Sequence, residues 1–521
     1  MRPSAIGKAL NARRLARSLP LCGAAALFAP LAQAQAQDSA AHGVTVTPSF
    51  SAQETLTSNA GLSATNPRSD AITQVSPGVR ISGRSSRVQG SLSYTANALA
   101  YARDSKRNTV QNALSATGAA ELVENHAFVD ANASISQQAI SAYGTQAIGT
   151  GLVNNNSSEV STLSLSPSVR GTLGGVADVQ GRVTWSATNS ASTSTGDSTG
   201  MNATLGISGG RSRVGWALNG SRQVSDYKVG RKTTYDELVA TLSLAVDPSL
   251  KLSVRGGREA NDILTGTREF DKTYGWGADW QPDVRTTLSL QSDHHYFGNS
   301  HSFRFQHRMK RSIWSYSDTR GVAGNPAAPG GAGQALSLYD LLFAQFASLQ
   351  PDPVLRDQLV RSYLQANGLD PGIPIGGGFL SSALSLQRSQ TVSVALTGLR
   401  DTVTLSGFQT ETRQLDGVTT ATGDLAGGNT VRQFGYSVGL AHRLTPDSAV
   451  NLTTIWLKTP SGTTQAGGTL AGTDQRTVNL TWTGTLSRRL NGALGARRTL
   501  FRSATAPYNE SAVFGSISLR F

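Results

Sequence analysis

SAVFGSISLRF, residues 511–521, decides how the rest of the chain is read. Val513, Gly515, Ile517, Leu519 and Phe521 fall on one side and Phe514, Ser516, Ser518 and Arg520 on the other. That period of two is the signature of a strand. One side is apolar and the other, Phe514 excepted, is small and polar or charged, so the strand divides an apolar medium from a polar one.

From His42 onward the same rhythm repeats: an alternating segment, a short turn, a second alternating segment, a longer polar loop. The short turns carry Gly, Pro, Asn and Asp, as in GRSSR (83–87), VENH (123–126), GGRSR (209–213), VDPS (246–249), QPDV (281–284), TPDS (445–448) and NG (491–492). Longer loops are expected near 103–109, 143–158, 188–200, 259–271, 414–430 and 459–475. Short turns at one rim and long loops at the other are the outer-membrane pattern, the short set facing the periplasm. Segment counting gives roughly 22 strands, or about 20 if FRFQHR (303–308) and RSIWSYS (311–317) belong to a loop, within the range known for such barrels. Alternation alone also fits a soluble β-helix or sandwich. The two loop lengths and a strand closing on Phe521 select the barrel, since this ending resembles the C-terminal sorting signal that the barrel assembly machinery reads. Val513, Ile517, Leu519 and Phe521 carry that resemblance.

Within the strands, Phe434, Tyr436, Val438 and Leu440 alternate with Gln433, Gly435, Ser437 and Gly439. Val478, Leu480 and Trp482 alternate with Asn479, Thr481 and Thr483, and Leu92, Tyr94 and Ala96 with Ser91, Ser93, Thr95 and Asn97. The apolar sets are expected to meet lipid. A hairpin also repeats: VSPGVRISGRSSRVQGSLSYTA (75–96) matches LSPSVRGTLGGVADVQGRVTWSA (165–187) with one residue added in the turn.

The composition agrees. Only 38% of the 521 residues are hydrophobic and 15% are charged, and 55 glycines and 18 prolines disfavour a packed helical protein. A spanning barrel needs apolar residues only at alternate positions, so its average hydropathy resembles that of a soluble chain. Residues 1–36 differ: Arg2, Lys8, Arg13, Arg14 and Arg17 precede the apolar run LCGAAALFAPLA and the small-residue AQAQA. This reads as a secretory signal peptide cut after Ala34 or Ala36, leaving 37–521 as the barrel. Cys22, the one cysteine, lies inside it. Without the leader, 41 bases face 33 acids. This excess is spread along the chain and forms no nucleic-acid-binding stripe. Arg103, Lys106, Arg107, Arg231 and Lys232 fall in loops, either simply solvated or meeting lipopolysaccharide or an acidic polymer.

Residues 321–385 break the rhythm. After GNPAAPGGAG, the runs LSLYDLLFAQFASLQ (336–350) and PVLRDQLVRSYLQANG (353–368) read as two helices. Asp352 caps the second, Pro353 occupies its first position, and Gly368 stops it. Leu355, Leu359 and Tyr363, with Val360 and Leu364, form its apolar stripe. That stripe packs outside the pore or plugs the lumen; the sequence leaves both open.

No catalytic, cofactor or metal constellation is expected. His294 and His295 are neighbours on a strand and point to opposite faces, so they cannot readily share a metal, and no cysteine or tight acidic run supports them. GISGG (206–210) satisfies the nucleophile-elbow string around Ser208 but runs into a hairpin rather than a helix.

The runs VTPSFSAQETLTSNAGL (46–62), SDAITQVSPGVRISG (69–83), LSYTANALAYARD (92–104) and LSATGAAELVENHAFVDANASISQQAISAYG (114–144) resemble the outer-membrane proteins that accompany PEP-CTERM and exosortase systems. So does PDPVLRDQLVRSYLQANGL (351–369). The resemblance implies an outer-membrane barrel linked to exopolysaccharide production and protein sorting at a Gram-negative envelope, with no enzyme activity. The sequence expectation is therefore an all-β, antiparallel transmembrane barrel of roughly 20–22 strands with a short helical insertion. It is a porin-like channel in which Arg520 lends positive charge to the lumen or rim, or else a non-conducting barrel with adhesive loops. Expected partners are outer-membrane lipids and lipopolysaccharide, the assembly machinery, and exopolysaccharide or sorted surface proteins, with no nucleic acid.

Overall fold

The computed structural model describes residues 43–146, 152–191, 196–211, 213–323, 378–415, 423–463 and 468–521, with Tyr339, Leu342, Phe343, Arg356, Asp357, Leu359 and Val360. The expected leader at 1–36 lies outside these residues, as do Asp352, Pro353, Leu355 and Tyr363. Among the described residues, 22 antiparallel strands form one sheet in which each strand pairs with its neighbours in sequence. The sheet closes because the first strand (Val44–Thr57) pairs with the last (Tyr508–Arg520), from Ser49 opposite Arg520 to Thr57 opposite Ala512. Closure removes the edges that an open sheet would expose in lipid. The two segments left in doubt by sequence are both wall strands, Gly298–Arg308 and Ser312–Ala323.

The wall is apolar outside and polar inside. Leu238, Leu242 and Leu244 on one strand, Leu252 and Val254 on the next, and Tyr274, Trp276 and Trp280 on the third are all exposed. Such a belt would be a severe liability in water and is what a hydrocarbon layer requires. The buried side chains are largely polar: Gln74, Ser76, Asn97, Gln433, Thr477 and Glu510. Their parity is opposite to the belt. Tyr436 and Leu440 are exposed while Gln433 and Ser437 are buried, as the alternation predicts. Val513, Ile517 and Phe521 are exposed on the outer face of the last strand, and the Phe521 N–H donates to the Pro48 carbonyl at 3.2 Å. Phe514, the large residue on the polar side, is explained by its partner. It pairs with Gly495, whose missing Cβ would lie 2.3 Å from the Phe514 ring, so the ring occupies the place of that side chain.

The repeated hairpin repeats in space. Ser76–Pro77 and Ser166–Pro167 each interrupt the register with the following strand, between Val75 and Gly78 in one copy and between Leu165 and Ser168 in the other. Proline has no N–H to donate to that neighbour. Both serines turn inward and are held there, Ser76 by Asn97 at 2.8 Å and Ser166 by Thr184 at 2.9 Å. Trp185, the second copy's counterpart of Tyr94, is exposed on the outer face.

Two sequence expectations need correction. Asn491–Gly492 is no turn. It lies within the strand Leu490–Ser503, opposite Ser518 and Ile517, and the turn falls at 486–489. Pairing of the last two strands fixes this register, and local turn preference yields to it. The long-loop rim is also not uniformly long. The strands Thr286–His295 and Gly298–Arg308 are joined by Tyr296 and Phe297 alone, with Gly298 at φ +98°.

Candidate functional site in the lumen and its mouth

The segment 378–386 enters the strand Ser385–Thr397 from the insertion and is buried along its whole length. Its apolar residues divide between two clusters. Phe379 and Ala383 pack with Ala142, Leu425 and Val431, and Leu384 and Leu386 pack with Tyr227, Ile263 and Leu415. The Leu380 N–H donates to the Ala139 carbonyl at 3.1 Å, and a Cβ on Gly196 would meet Leu380 at 3.3 Å. This short run therefore touches loops from well-separated parts of the long-loop rim and straps them together.

A second loop contact centres on Asp424. Ser141 Oγ donates to its carboxylate at 2.8 Å and the Ala142 N–H at 2.5 Å, while Asn429 Nδ2 donates to the Tyr143 hydroxyl at 3.1 Å. Burial pushes the Asp424 carboxyl above its ordinary range despite these donors, and burial also raises the Tyr143 phenol. The docked loop therefore holds its proton more tightly than the undocked one. Docking is favoured at low pH and weakens as pH rises from about 4, the free aspartate value, through the raised value. Hydrogen exchange at Ala142, corrected for intrinsic rate, is expected to speed up over that window in the wild type. In Asp424→Asn it stays flat.

Of the five loop cations, Lys106 and Lys232 are exposed, and the three arginines act as clamps between loops. Arg103 Nη1 donates to the Ser69 carbonyl at 3.1 Å, Arg107 Nη1 to the Ala60 carbonyl at 3.0 Å, and Arg231 Nη2 to the Ile263 carbonyl at 2.7 Å. Between 336 and 368 the described positions are helical, in agreement with the two-helix reading there. The insertion is shorter than the expected 321–385, however: residues 321–323 and Ser385 belong to wall strands, where ladder pairing claims them. Asp357 pairs with Arg80 at 2.8 Å. Arg80 has the parity of buried Gln74 and Ser76, so this contact lies on the inner wall. It also lies on the second strand, more than a third of the way round the cylinder from the strands that the insertion joins. Val360, one turn on from Asp357, is fully buried, whereas Leu359 is 40% exposed. Of the expected stripe, Val360 is buried as the pattern requires, whereas Leu359 stands to the side of the face that runs through Asp357 and Val360. Arg520 shares the inward parity of Glu510 and Ala512 and is exposed at the short-turn rim.

Elsewhere on the wall, Glu237, Glu259 and His295 converge from three strands, with ligand atoms within 4.8 Å of one another. Glu259 is fully buried and accepts from the Tyr235 hydroxyl at 2.9 Å, from His295 Nδ1 at 3.0 Å and from the Tyr296 N–H. His294 turns outward and stacks on Tyr274 at 5.0 Å, so the two histidines do face opposite ways. Sequence inspection missed this group because it depends on register: Glu237 and Glu259 are cross-strand partners on adjacent strands, and His295 arrives from two strands further on. The available signal was parity: Glu237, Glu259 and His295 all sit at inward positions. Ser208 lies inside the strand Ser198–Arg211, far from any strand-to-helix elbow.

A closed wall, lipid-facing outside and polar within, defines the class: the chain is an integral outer-membrane β-barrel. No protein-family model matches it, and no curated protein matches it. Solved structures similar to it include a mutant of the ferric enterobactin receptor PfeA of Pseudomonas aeruginosa, at 11% identity over 92% of this chain and 81% of that one, with a TM-score of 0.45. The FrpB iron transporter of Neisseria meningitidis (F3-3 variant) aligns at 10% identity over 91% and 81%, with a TM-score of 0.47. The siderophore receptor PirA of Pseudomonas aeruginosa aligns at 10% over 91% and 80%, with a TM-score of 0.42. These likenesses are too distant to carry function across.

Proposed function

We propose that the barrel is a plugged conduit for a hydrophilic solute or glycan, with residues 324–384 as the plug, and that it serves an exopolysaccharide system of the PEP-CTERM and exosortase kind. The contact between Asp357 and Arg80 supports the first part: a residue of the insertion pairs with an inward arginine on a distant part of the wall, where a plug in the lumen would stand. The polar inner wall suits a hydrated cargo. The second part rests on the resemblance of the runs between 46 and 144 and of 351–369, and these meet in space at Arg80 and Asp357. Arg87, Arg213, Arg285, Arg311, Arg400 and Arg489 all fall in turns at the short-turn rim, and with Arg520 they favour anions at that entrance.

The test is planar-bilayer conductance of the refolded protein beside a version lacking 324–384. Ala323 and Ser385 are paired neighbours, so a short glycine-rich turn joins them without disturbing the wall. The intact barrel is expected to be quiet and the deletion to pass steady, anion-selective current. The strap at 378–386 favours a second reading, a closed structural barrel whose loops bind polysaccharide or sorted proteins. Silence from both folded forms would select it.

A further inference from the structure

We propose that the inner wall near the long-loop mouth binds a divalent transition-metal ion between Glu237, Glu259 and His295. The three residues stand on the strands Lys232–Asp247, Leu250–Asn261 and Thr286–His295, each close to the long-loop end and at an inward position. Ligands about 2.1 Å from one ion and at right angles to each other lie about 3 Å apart. His295 Nδ1 and Glu259 Oε2 are 3.0 Å apart, so they can serve as neighbouring ligands once the ion displaces the shared proton. Tyr235 and the Tyr296 N–H already fix the Glu259 carboxylate, the orienting role that outer-shell groups play around metal ligands.

Asp293 supplies an independent observation. It lines the same cavity of about 860 Å³ as Glu237 and His295, and it is 7% exposed. Its Oδ2 accepts from Gln291 Nε2 at 2.6 Å and Arg255 Nη1 at 3.4 Å, while its Oδ1, with Arg255 Nε 3.4 Å away, accepts no hydrogen bond among the described residues. Gly275 makes room for it, since a Cβ there would meet Asp293 Oδ1 at 2.0 Å. Arg255 offsets one of the three carboxylates, and a divalent ion would offset the other two. One imidazole with carboxylates suits Zn²⁺, Mn²⁺, Fe²⁺ or Co²⁺ better than Ca²⁺ or Mg²⁺, which take oxygen ligands, or Cu⁺, which prefers sulfur.

The experiment uses the full chain refolded in detergent, its folding checked by heat-modifiable migration, and titrated with Co²⁺ while visible absorption is followed. One Co²⁺ per chain is expected, displaced by Zn²⁺. His295→Ala and Glu237→Gln should each weaken binding by about tenfold or more. His294→Ala, on the outer face, should bind as the wild type does. A folded wild type that takes up no Co²⁺ overturns the site, and so does undiminished binding by His295→Ala. If His295→Ala fails to fold, Glu237→Gln decides by the same criterion.

Discussion

Glu510→Ala is expected to lower the barrel's unfolding free energy by about 3–5 kcal/mol, the usual cost of removing one member of a buried ion pair. Glu510 is completely buried on the closing strand. It accepts from Thr57 Oγ1 of the first strand at 2.9 Å and from Arg497 Nη2 of the preceding strand at 3.0 Å. One carboxylate thus ties together the three strands at the seam. The same end of the seam is also joined by Ser58 N–H to Ser511 O at 2.9 Å, Ser511 N–H to Ser58 Oγ at 2.9 Å and Asn59 Nδ2 to Asn509 O at 3.1 Å. Alanine leaves Arg497, whose side chain is 11% exposed, without its counter-charge. Glu510→Gln keeps the shape and should fall between. Denaturant unfolding in micelles, followed by tryptophan fluorescence, measures both. A loss below about 1 kcal/mol for alanine, the range of exposed pairs, would mean that the seam closes on backbone pairing alone.

The wall was legible because a barrel writes its two faces into alternate residues. Tyr436 and Gln433 could be assigned to lipid and lumen without any partner being known. Register was less legible. Asn491–Gly492 is a strong local turn signal, yet the strand it belongs to is paired with twelve residues of its neighbour, and the sum of that ladder prevails. The luminal group was illegible for a different reason. Glu259 and His295 are 36 residues apart, and only the pairing of both their strands with the one between brings them together. Parity says that both point inward but not that they stand at the same height. The insertion divides similarly: helix signals marked it, while its meeting with Arg80 has no local trace.

That meeting yields the second large effect. Arg80→Glu should turn a quiet barrel into a leaking one, because it sets two carboxylates face to face where a 2.8 Å ion pair stood. The Arg80 side chain is 33% exposed and Asp357 10%, so the loss is that of a charged hydrogen bond partly screened by water, about 1.5–3 kcal/mol. Such a loss shifts the ratio of seated to unseated insertion by about ten- to a hundredfold. Asp357→Arg alone should leak to a similar degree. The exchange Arg80→Glu with Asp357→Arg restores opposite charges and should restore silence, a coupling that independent effects on folding would not produce. If the double variant leaks as much as the singles while remaining folded, the pair does not hold the insertion. The buried segment 378–386, anchored at Ala139 and against Gly196, then remains to hold it from the long-loop mouth, and Leu380→Asp is the variant expected to release it.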